Sequence, residues 1–548
     1  MHGRVKVRSS EEQDRARKKE RDDKASAYKT VMAQIFNKRE SGCLDDECLS
    51  LTREVLCVNP EIATLWNYRR EIFVERQANM SDEEFSLLCC KELNLLESCL
   101  RVNPKAYCVW LSRQWILLHC PQADWVREKG LCDKLLNYDE RNFHCWDHRR
   151  FVIQQSHCVS VNQELSFTYD KIASNFSNYS AWHYRSQLLP LVHPSSGSPS
   201  DDGGLVSGDA LAKEHELAQN AFFTDPDDQS AWFYHRWLLG EVRCLDSVDM
   251  VYLQVSSQPK LVISFNQPLN VHQRLCITMD GEIVCEIVCE GEWPTTLYQT
   301  TLPTLPSTIN ISFDQQNISL SPSEAVYWVR GDGLLPWTHT QATPSLLASQ
   351  LESCQQLLEE EPSNKWCLLT TVLLMQSLDP VKYSPLIQHM TSRLCQVDPL
   401  RKSYYTDLMS RFMLRQALRV STHLTALDLS GMGLTRLEHT QYLLPYERLD
   451  LSGNALRCLP PTLICPALTR LILDDNHLVA LPHIQAPLQH LSLTNNYIAE
   501  LEAIKEALKS LLTLQVLCLQ GNPLCSQGKP LLQDMLRAIV PGLVELTL

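Results

Sequence analysis

The sequence lacks an apolar run of 18 residues, so hydropathy predicts no membrane-spanning helix. The opening residues, Met-His-Gly-Arg-Val-Lys-Val-Arg, contain no apolar core of the kind that a signal peptide needs. Cys-x2-Cys pairs, which would seed a zinc ribbon, are also missing, and the 22 cysteines follow no regular framework. We therefore expect free thiols in a reducing compartment and predict a cytosolic protein without an integral membrane segment.

Positive charge is in deficit as well, with 50 Lys and Arg against 64 Asp and Glu and a net charge of −14. This balance argues against a nucleic-acid-binding protein and against binding to anionic membranes through general basicity. With 44% apolar residues the chain can bury ample core, and 548 residues are too many for one domain. We expect two to four domains.

What the sequence does contain is a repeated motif, in which a short polar or Pro-marked segment is followed by Trp and then Arg. The repeated tryptophans, to which we assign a structural role, are Trp66, Trp110, Trp146, Trp182 and Trp232. Their spacing of roughly 35 to 50 residues is the length of one helix pair. Asn-Pro or Asp-Pro ends one helix, because the residue before Pro disfavours the α region. Trp and the following Arg then share one helix face, and the pairs stack into a curved array.

The copies of this motif differ in detail. Glu140 and Phe176 stand where other copies have Pro, and the fifth copy has His235 at the Arg place with Arg236 one residue further on. A Gly/Ser/Pro-rich tract at 194–204 reads as a loop and explains the long last spacing. Weaker sixth and seventh copies are predicted at 361–366 and 397–404.

Two further sequence patterns follow the first five copies. Short β-branched or aromatic runs occur at 251–255, 261–265, 275–279, 283–288, 309–313 and 325–329, and they predict an inserted β-sandwich of six or seven strands. Helices resume at about 342. In the C-terminal stretch, Leu-x-Leu is followed by Asn454, Asn476, Asn496 and Asn522, at spacings typical of leucine-rich repeats.

The predicted fold is therefore multidomain. It is an α–α helical-hairpin repeat crescent with an inserted immunoglobulin-like β-sandwich and a C-terminal leucine-rich-repeat domain. We place the helical repeats at 1–244 and 341–418, the β-sandwich at 245–340 and the leucine-rich repeats at 419–548.

The tandem Pro-x5-Trp-x2-Arg motif resembles the α-subunit repeat of protein prenyltransferases over roughly residues 45–240. With the other two domains, the whole chain resembles the α subunits of Rab geranylgeranyltransferases, which the run 140–146 also fits closely. The resemblance implies one half of a heterodimeric enzyme, whose β subunit holds the zinc and most of the isoprenoid pocket. It implies transfer of geranylgeranyl from geranylgeranyl diphosphate to C-terminal cysteines, usually two, of Rab GTPases presented by Rab escort protein.

The same resemblance points to three residues. Arg141 matches the position from which the farnesyl enzyme directs a basic side chain to the diphosphate, and Phe143 stands where that family has Tyr. Lys105, in the preceding loop, is the second candidate. His2 is a possible ligand that blocks the zinc of the partner subunit until substrate arrives. The alternatives are solvated or interface charges for Arg141 and Lys105 and a solvated tail for His2.

Two other functions stay open at this point. One is a scaffold of helical and leucine-rich repeats with no enzyme attached, since this sequence contains no catalytic constellation of its own. The other is the α subunit of a CaaX prenyltransferase, which the two extra domains disfavour. The choice of C15 or C20 lipid and of acceptor tail would separate these functions from the first.

Overall fold

The computed structural model describes residues 11–156, 159–194, 206–239, 248–254, 259–269, 275–285, 295–302, 307–313, 316–320, 326–330, 343–421, 425–526 and 529–548. These residues form two compact units, Met1–Val192 and His193–Leu548, and each is described on its own. The predicted helical repeats are confirmed, and so is an additional β-sheet region in the C-terminal part.

The described part of the first unit is built from helical hairpins. Its helices are α1 (Glu11–Glu40), α2 (Asp46–Val58), α3 (Ala63–Asn79), α4 (Asp82–Val102), α5 (Tyr107–His119), α6 (Trp125–Tyr138), α7 (Phe143–Ser156), α8 (Val161–Ser174) and α9 (Tyr179–Val192). Helix α4 begins with a capping box between Ser81 and Glu84, and α8 with one between Ser160 and Gln163. These caps satisfy main-chain N–H groups that the first helical turn leaves without partners.

Each repeat tryptophan ties a helix to the loop that precedes it. The indole Nε1 donates to the main-chain oxygen six residues earlier, from Trp66 to Pro60 (2.8 Å), Trp110 to Pro104 (2.9 Å), Trp146 to Glu140 (2.8 Å) and Trp182 to Phe176 (2.7 Å). All four rings are buried. Because the acceptor is a main-chain carbonyl, any residue can supply it, and this explains why Glu140 and Phe176 replace Pro without loss of the bond.

The arginine of each motif joins consecutive hairpins through buried ion pairs. The contacts run from Arg69 Nε to Glu92 Oε1 (2.7 Å), Arg113 Nη2 to Glu128 Oε2 (2.7 Å) and Arg149 Nη2 to Glu164 Oε1 (2.6 Å). Each carboxylate lies on the first helix of the next pair. Arg69 also donates to the Leu49 carbonyl at 2.6 Å and Arg113 to the Leu93 carbonyl at 2.8 Å, so each guanidinium bridges two hairpins. Removing one partner of a buried pair of this kind costs about 3–5 kcal/mol.

Glu128 is held by a second group in addition to Arg113. Its Oε1 lies 2.6 Å from Nε2 of His148, and all three side chains are buried. Burial alone would raise the pKa of Glu128, but the His148 hydrogen bond and the Arg113 charge lower it to about 2. Burial lowers the pKa of His148, so its imidazole is neutral at neutral pH.

The second unit continues the helices and then adds sheets. Its described helices are α10 (Gly208–Thr224), α11 (Gln229–Leu239), α12 (Pro344–Glu360), α13 (Lys365–Leu378), α14 (Ser384–Val397), α15 (Lys402–Val420), α16 (Glu502–Ser510) and α17 (Lys529–Ile539), with 3₁₀ turns at Pro399–Arg401, Thr440–Leu443 and Pro523–Ser526. Trp232 donates to the Pro226 carbonyl at 2.9 Å, as in the first unit. His235, at the usual Arg place, instead contacts Gln350 Oε1 at 2.8 Å.

The sixth copy is present, but its tryptophan is out of register. Asn364 Oδ1 accepts hydrogen bonds from the main-chain N–H groups two and three residues later, as Asn142 Oδ1 does in the third copy. Trp366 therefore occupies the place of His144, and Leu368 takes the place of the repeat tryptophan. This copy keeps the loop geometry after losing the indole that defines it elsewhere.

Two four-stranded antiparallel sheets follow α11, with strand orders β5-β2-β1-β8 and β4-β3-β6-β7. The strands are β1 (Val248–Gln254), β2 (Lys260–Leu269), β3 (Leu275–Met279), β4 (Glu282–Cys285), β5 (Thr295–Thr301), β6 (Ile309–Phe313), β7 (Gln316–Leu320) and β8 (Val326–Arg330). Six overlap the runs expected from the sequence. Strands β5 and β7 were not expected, because each is mostly polar and owes its conformation to pairing with β2 and β6.

The C-terminal part contains a six-stranded parallel sheet in the order β16-β15-β14-β12-β10-β9 and a separate β11-β13 pair. Its strands are β9 (Ala426–Asp428), β10 (Arg448–Asp450), β11 (Thr462–Ile464), β12 (Arg470–Ile472), β13 (His483–Gln485), β14 (His490–Ser492), β15 (Val516–Cys518) and β16 (Glu545–Thr547). The buried amides of Asn454, Asn476, Asn496 and Asn522 each donate to carbonyls of their own repeat and of the preceding one. This ladder sets the spacing between repeats.

None of the helices in the described ranges combines the length and the apolarity needed to cross a membrane.

The buried Glu128 gives a test of the repeat core. Because its folded pKa lies below the usual 4.5, its stabilising contribution is complete above about pH 4.5 and is lost as the pH falls toward 2. Glu128→Gln should lower the free energy of unfolding at pH 7 by roughly 3–5 kcal/mol. The gap between variant and wild type should narrow on acidification, as measured by urea unfolding and tryptophan fluorescence.

Glu54→Gln is the matched control for this experiment, because Glu54 is exposed on α2 and lies beyond the first turn of that helix. Its unfolding curve should follow that of the wild type at each pH. A pH-independent gap between Glu128→Gln and the wild type would show that the Glu128 carboxylate is not held in its charged form by the core.

Candidate functional site

The loops at the starts of the second helices are placed side by side by buried asparagines. Asn142 Nδ2 donates to the Pro104 carbonyl at 3.1 Å, and Asn178 Nδ2 donates to the Glu140 carbonyl at 3.1 Å. The Oδ1 atom of each amide accepts from main-chain N–H groups of its own helix start. One side chain thus fixes a helix start to the neighbouring loop, so the loops before α5 and α7 are direct neighbours.

Lys105 and Arg141 occupy matching positions in these two loops, each two residues before its helix begins. Their main chains are fixed, since the Lys105 N–H donates to Asn103 Oδ1 (3.1 Å) and the Arg141 N–H donates to Asp139 Oδ1 (3.2 Å). Both side chains are exposed, and neither has an ion-pair partner among the residues that the structure describes. Two cations therefore project from fixed, adjacent loops.

An aromatic cluster lies beside these cations at the first turns of α5 and α7. The Tyr107 ring is perpendicular to the His144 ring at a centroid distance of 4.2 Å, and Phe143 lies 3.9 Å from His144. Tyr107 is 59% exposed and Phe143 50%, while His144 is only 6% exposed. Burial lowers the pKa of His144, and the nearby Lys105 charge lowers it further. The charges of Asp147 and Glu61 raise this pKa, but by less than burial lowers it. The imidazole is therefore neutral at pH 7.

This arrangement can bind an anion next to an apolar group. The first turns of α5 and α7 carry the positive ends of two helix dipoles, which favour phosphate-like anions. Lys105 and Arg141 add formal charge, and neutral His144 can donate one hydrogen bond. The exposed faces of Tyr107 and Phe143 offer apolar contact beside that charge.

The structure describes two of the three residues that the sequence predicted for this site. Lys105 and Arg141 are brought to adjacent loops, while His2 lies outside the described residues. Each of the five repeat tryptophans is buried and donates a hydrogen bond to the loop that precedes its own helix. Sequence reasoning did not select His144 or Tyr107, although each lies within four residues of a repeat tryptophan and at the start of its helix.

Within the described ranges there is no group of three or more His, Cys, Asp or Glu side chains that could hold a metal ion. The described residues therefore do not fit a zinc site. The chemistry available at the α5 and α7 loops is the binding and neutralisation of an anion.

The helical repeat matches a known protein family. The protein prenyltransferase alpha subunit repeat family matches residues 45–75, 89–120, 125–156, 161–191 and 211–242. Each match contains one of the five repeat tryptophans. The loops that carry Lys105 and Arg141 lie inside the second and third matches.

Curated relatives extend the similarity over the rest of the chain. "Geranylgeranyl transferase type-2 subunit alpha" of Bos taurus is 41% identical over 564 residues, covering 96% of this chain and 96% of the relative. The Homo sapiens protein of the same name is 41% identical over 559 residues, with the same coverage of both. A Dictyostelium discoideum relative with that name is 38% identical over 253 residues, which cover 46% of this chain and 78% of the relative.

Proposed function

Because this chain belongs to the geranylgeranyl transferase type-2 α-subunit family, we propose that it is the α half of a two-chain enzyme. The enzyme transfers geranylgeranyl from geranylgeranyl diphosphate to C-terminal cysteines of Rab GTPases, usually two in Cys-Cys or Cys-x-Cys tails. Its partners are a prenyltransferase β subunit and the Rab escort protein. The observation that carries this proposal is the 41% identity to relatives of that name over 96% of the chain.

In this enzyme, Lys105 and Arg141 act on the diphosphate of the lipid substrate. Negative charge grows on the diphosphate as its bond to the C20 group breaks, and fixed cations lower the energy of that state. The adjacent loops support this role because they present both cations next to two helix N-termini. Neutral His144 adds a hydrogen bond to the same anion, and Tyr107 and Phe143 contact the apolar chain beside it.

Zinc, which the family resemblance implies, is assigned to the β subunit. When bound there, it supplies a cysteine thiolate at neutral pH. The residues of this chain bind and orient the leaving group and leave thiol activation to the partner.

The proposal also assigns a fold family to each of the two β regions. Strands β1, β2 and β5 share one sheet while β3, β6 and β7 share the other, which supports an immunoglobulin-like sandwich. The parallel sheet with its asparagine ladder supports leucine-rich repeats. The predicted domain boundaries after residues 244 and 340 fall outside the described residues. The predicted boundary after residue 418 lies two residues before the end of α15.

The function is tested by co-expression with a prenyltransferase β subunit and a transfer assay with labelled geranylgeranyl diphosphate. Transfer to a Rab with a Cys-Cys tail should require both chains and the escort protein. Farnesyl transfer to CaaX peptides without an escort would instead identify a CaaX enzyme. Failure to form a complex with the β subunit would favour a non-enzymatic scaffold.

Substitution of the two loop cations tests the site within that enzyme. Lys105→Ala and Arg141→Ala should each lower the turnover number roughly tenfold or more, because each removes a charge from the leaving diphosphate. The double variant should lose more than either alone. Assembly with the β subunit, measured by gel filtration, should be unaffected.

Two controls separate this role from a general effect of charge. Lys91→Ala removes an exposed cation of α4 that lies outside both loops, and it should leave turnover unchanged. Arg141→Lys keeps the charge and should restore most of the turnover that Arg141→Ala loses. Unchanged turnover in both alanine variants would eliminate the assigned role.

The His2 hypothesis has its own test. If His2 occupies the zinc of the partner subunit before substrate binds, deletion of residues 1–8 should raise the transfer rate or the affinity for a Rab-tail peptide. His2→Ala in the full chain should reproduce the effect, while Arg4→Ala should not. Equal kinetics for the deletion and the full chain would dispose of the hypothesis.

A further inference from the structure

The contact between the hairpin α10–α11 and the hairpin α12–α13, which we call the neutral junction, lacks the ion pair found between earlier hairpins. In the first unit the motif arginine contacts a glutamate of the next hairpin, as Arg113 contacts Glu128. At the neutral junction His235 stands at the arginine place, and its Nε2 lies 2.8 Å from Oε1 of Gln350 on α12. Among the residues that the structure describes, no ion pair joins these two hairpins. An imidazole and an amide therefore take the places of a guanidinium and a carboxylate.

Side-chain amides hold the neutral junction together. Nε2 of Gln219 on α10 donates to Oε1 of Gln350 at 3.0 Å. Nδ2 of Asn364, which caps the start of α13, donates to the Pro226 carbonyl at 2.8 Å and to Oδ1 of Asp227 at 3.2 Å. These bonds are weaker than the charge-assisted hydrogen bonds of the earlier hairpins.

The chain also connects the two sides of this junction in a different way. Helix α7 ends at Ser156 and α8 begins at Val161, so a short loop joins those two neighbouring hairpins. Helix α11 ends at Leu239, α12 begins at Pro344, and the eight strands β1 to β8 lie between them in the chain. Because this connection is long, the two hairpins of the neutral junction can separate without straining a short loop.

A second buried histidine lies beside His235. His215, on α10, is 1% exposed, and its ring centroid lies 5.1 Å from that of His235, which is fully buried. Neither ring nitrogen of His215 has a hydrogen-bond partner in the described part of the chain, and the same holds for Nδ1 of His235. A proton added to either ring would therefore bring a charge and a new N–H group to a place without an acceptor, which is costly in a protein interior.

The charged groups on α10 and α11 do not compensate for such a proton. Burial lowers the pKa of His235 to about 4, with a further lowering by the Arg236 charge that outweighs no more than part of the Gln350 hydrogen bond. Burial lowers the pKa of His215 to about 3, and the neighbouring His235 lowers it further. The nearby carboxylate of Glu214 accepts the Tyr234 hydroxyl at 2.6 Å. Both imidazoles are therefore neutral while the junction is closed.

The helices on the other side of the junction offer no buried carboxylate either. The acidic side chains of α12, which are Glu352, Glu359 and Glu360, are all exposed. The Cys354 thiol is neutral, because its hydrogen bond with Cys367 and its burial raise its pKa. Lys365, at the start of α13, lies over the Trp366 ring at 5.2 Å from the centroid. A proton on either histidine would thus meet neutral or positive groups.

We propose that the neutral junction is an acid-sensitive hinge, at which α12 and α13 separate from α10 and α11 when the two histidines take up protons. Separation exposes both rings to water, where an imidazole has a pKa of about 6.5. Because both buried pKa values lie below 6.5, the closed junction has its full stability above that pH and loses it as the pH falls toward 4. The Arg113–Glu128 pair keeps its charges over this range, since the pKa of Glu128 is about 2. This inference is independent of the transfer function proposed above.

The test measures amide hydrogen exchange of the full chain by mass spectrometry at about pH 7.5 and about pH 5.5. Each observed rate is divided by the intrinsic rate at the same pH, so that the ratio reports the population of the open state. Between the two pH values this ratio should rise roughly a hundredfold in α12, which corresponds to about tenfold for each histidine. In α4, which is held by the pair Arg69–Glu92, the ratio should stay nearly constant.

Variants of the two histidines test whether they cause this rise. His215→Phe removes a titrating ring that makes no hydrogen bond, and His235→Gln keeps a donor for Gln350. Each should reduce the rise in α12 to about tenfold, and the double variant should abolish it. A loss of stability that is equal at both pH values cancels in this comparison.

Two further variants complete the experiment. His477→Asn is the matched control, because His477 is an exposed histidine of the C-terminal part, and the rise in α12 should be that of the wild type. His235→Arg/Gln350→Glu rebuilds the ion pair of the earlier hairpins. It should reduce the rise in α12 to about tenfold, because His215 is then the one remaining titrating ring at the junction.

Three results would overturn the proposal. They are an α12 ratio that is equal at the two pH values, an equal rise in α4 and α12, and the wild-type rise in the double histidine variant. The second result would indicate that acid loosens the helical array as a whole, and the third would assign the effect to other groups.

Discussion

The described helices of the first unit depend on one interaction, the buried pair between a motif arginine and a carboxylate of the next hairpin. Such a pair is stable only when both charges and most of their hydrogen bonds are satisfied, and the guanidinium does this by reaching a carboxylate and a carbonyl at once. Each hairpin therefore needs its neighbour to be complete. This is why the helices form a stack and not a set of independent pairs.

The loops follow from the same stack. Once consecutive hairpins are fixed by their ion pairs, buried amides such as that of Asn142 can reach the neighbouring loop. The main chains at Lys105 and Arg141 then gain fixed positions, although neither side chain is buried. A loop that is already ordered loses less conformational freedom when a ligand binds than a mobile loop does.

Much of this architecture could be predicted from the sequence, because Trp, Arg and Asn recur at spacings with few structural solutions. The regular tryptophans predicted the hairpins, and the asparagines after Leu-x-Leu predicted the parallel repeats. Strands β5 and β7 escaped prediction because their conformation comes from pairing and not from their own residues. The hydrogen bonds of Asn364 show that Leu368, and not Trp366, stands at the tryptophan position of the sixth copy. His144 was missed because its burial and its contact with Tyr107 arise between two loops.

Because of the hydrogen bond from the indole to the carbonyl, the array tolerates changes in the length of the first helix of each pair. The loop is tied to its own helix over six residues in every intact copy, while the first helices differ widely, from 13 residues in α2 to 21 in α4. Residues can therefore be inserted in a first helix, or between hairpins, without altering the loop and the helix start that follow. The loops with their helix starts, on one side, and the first helices, on the other, are in this sense free to evolve separately.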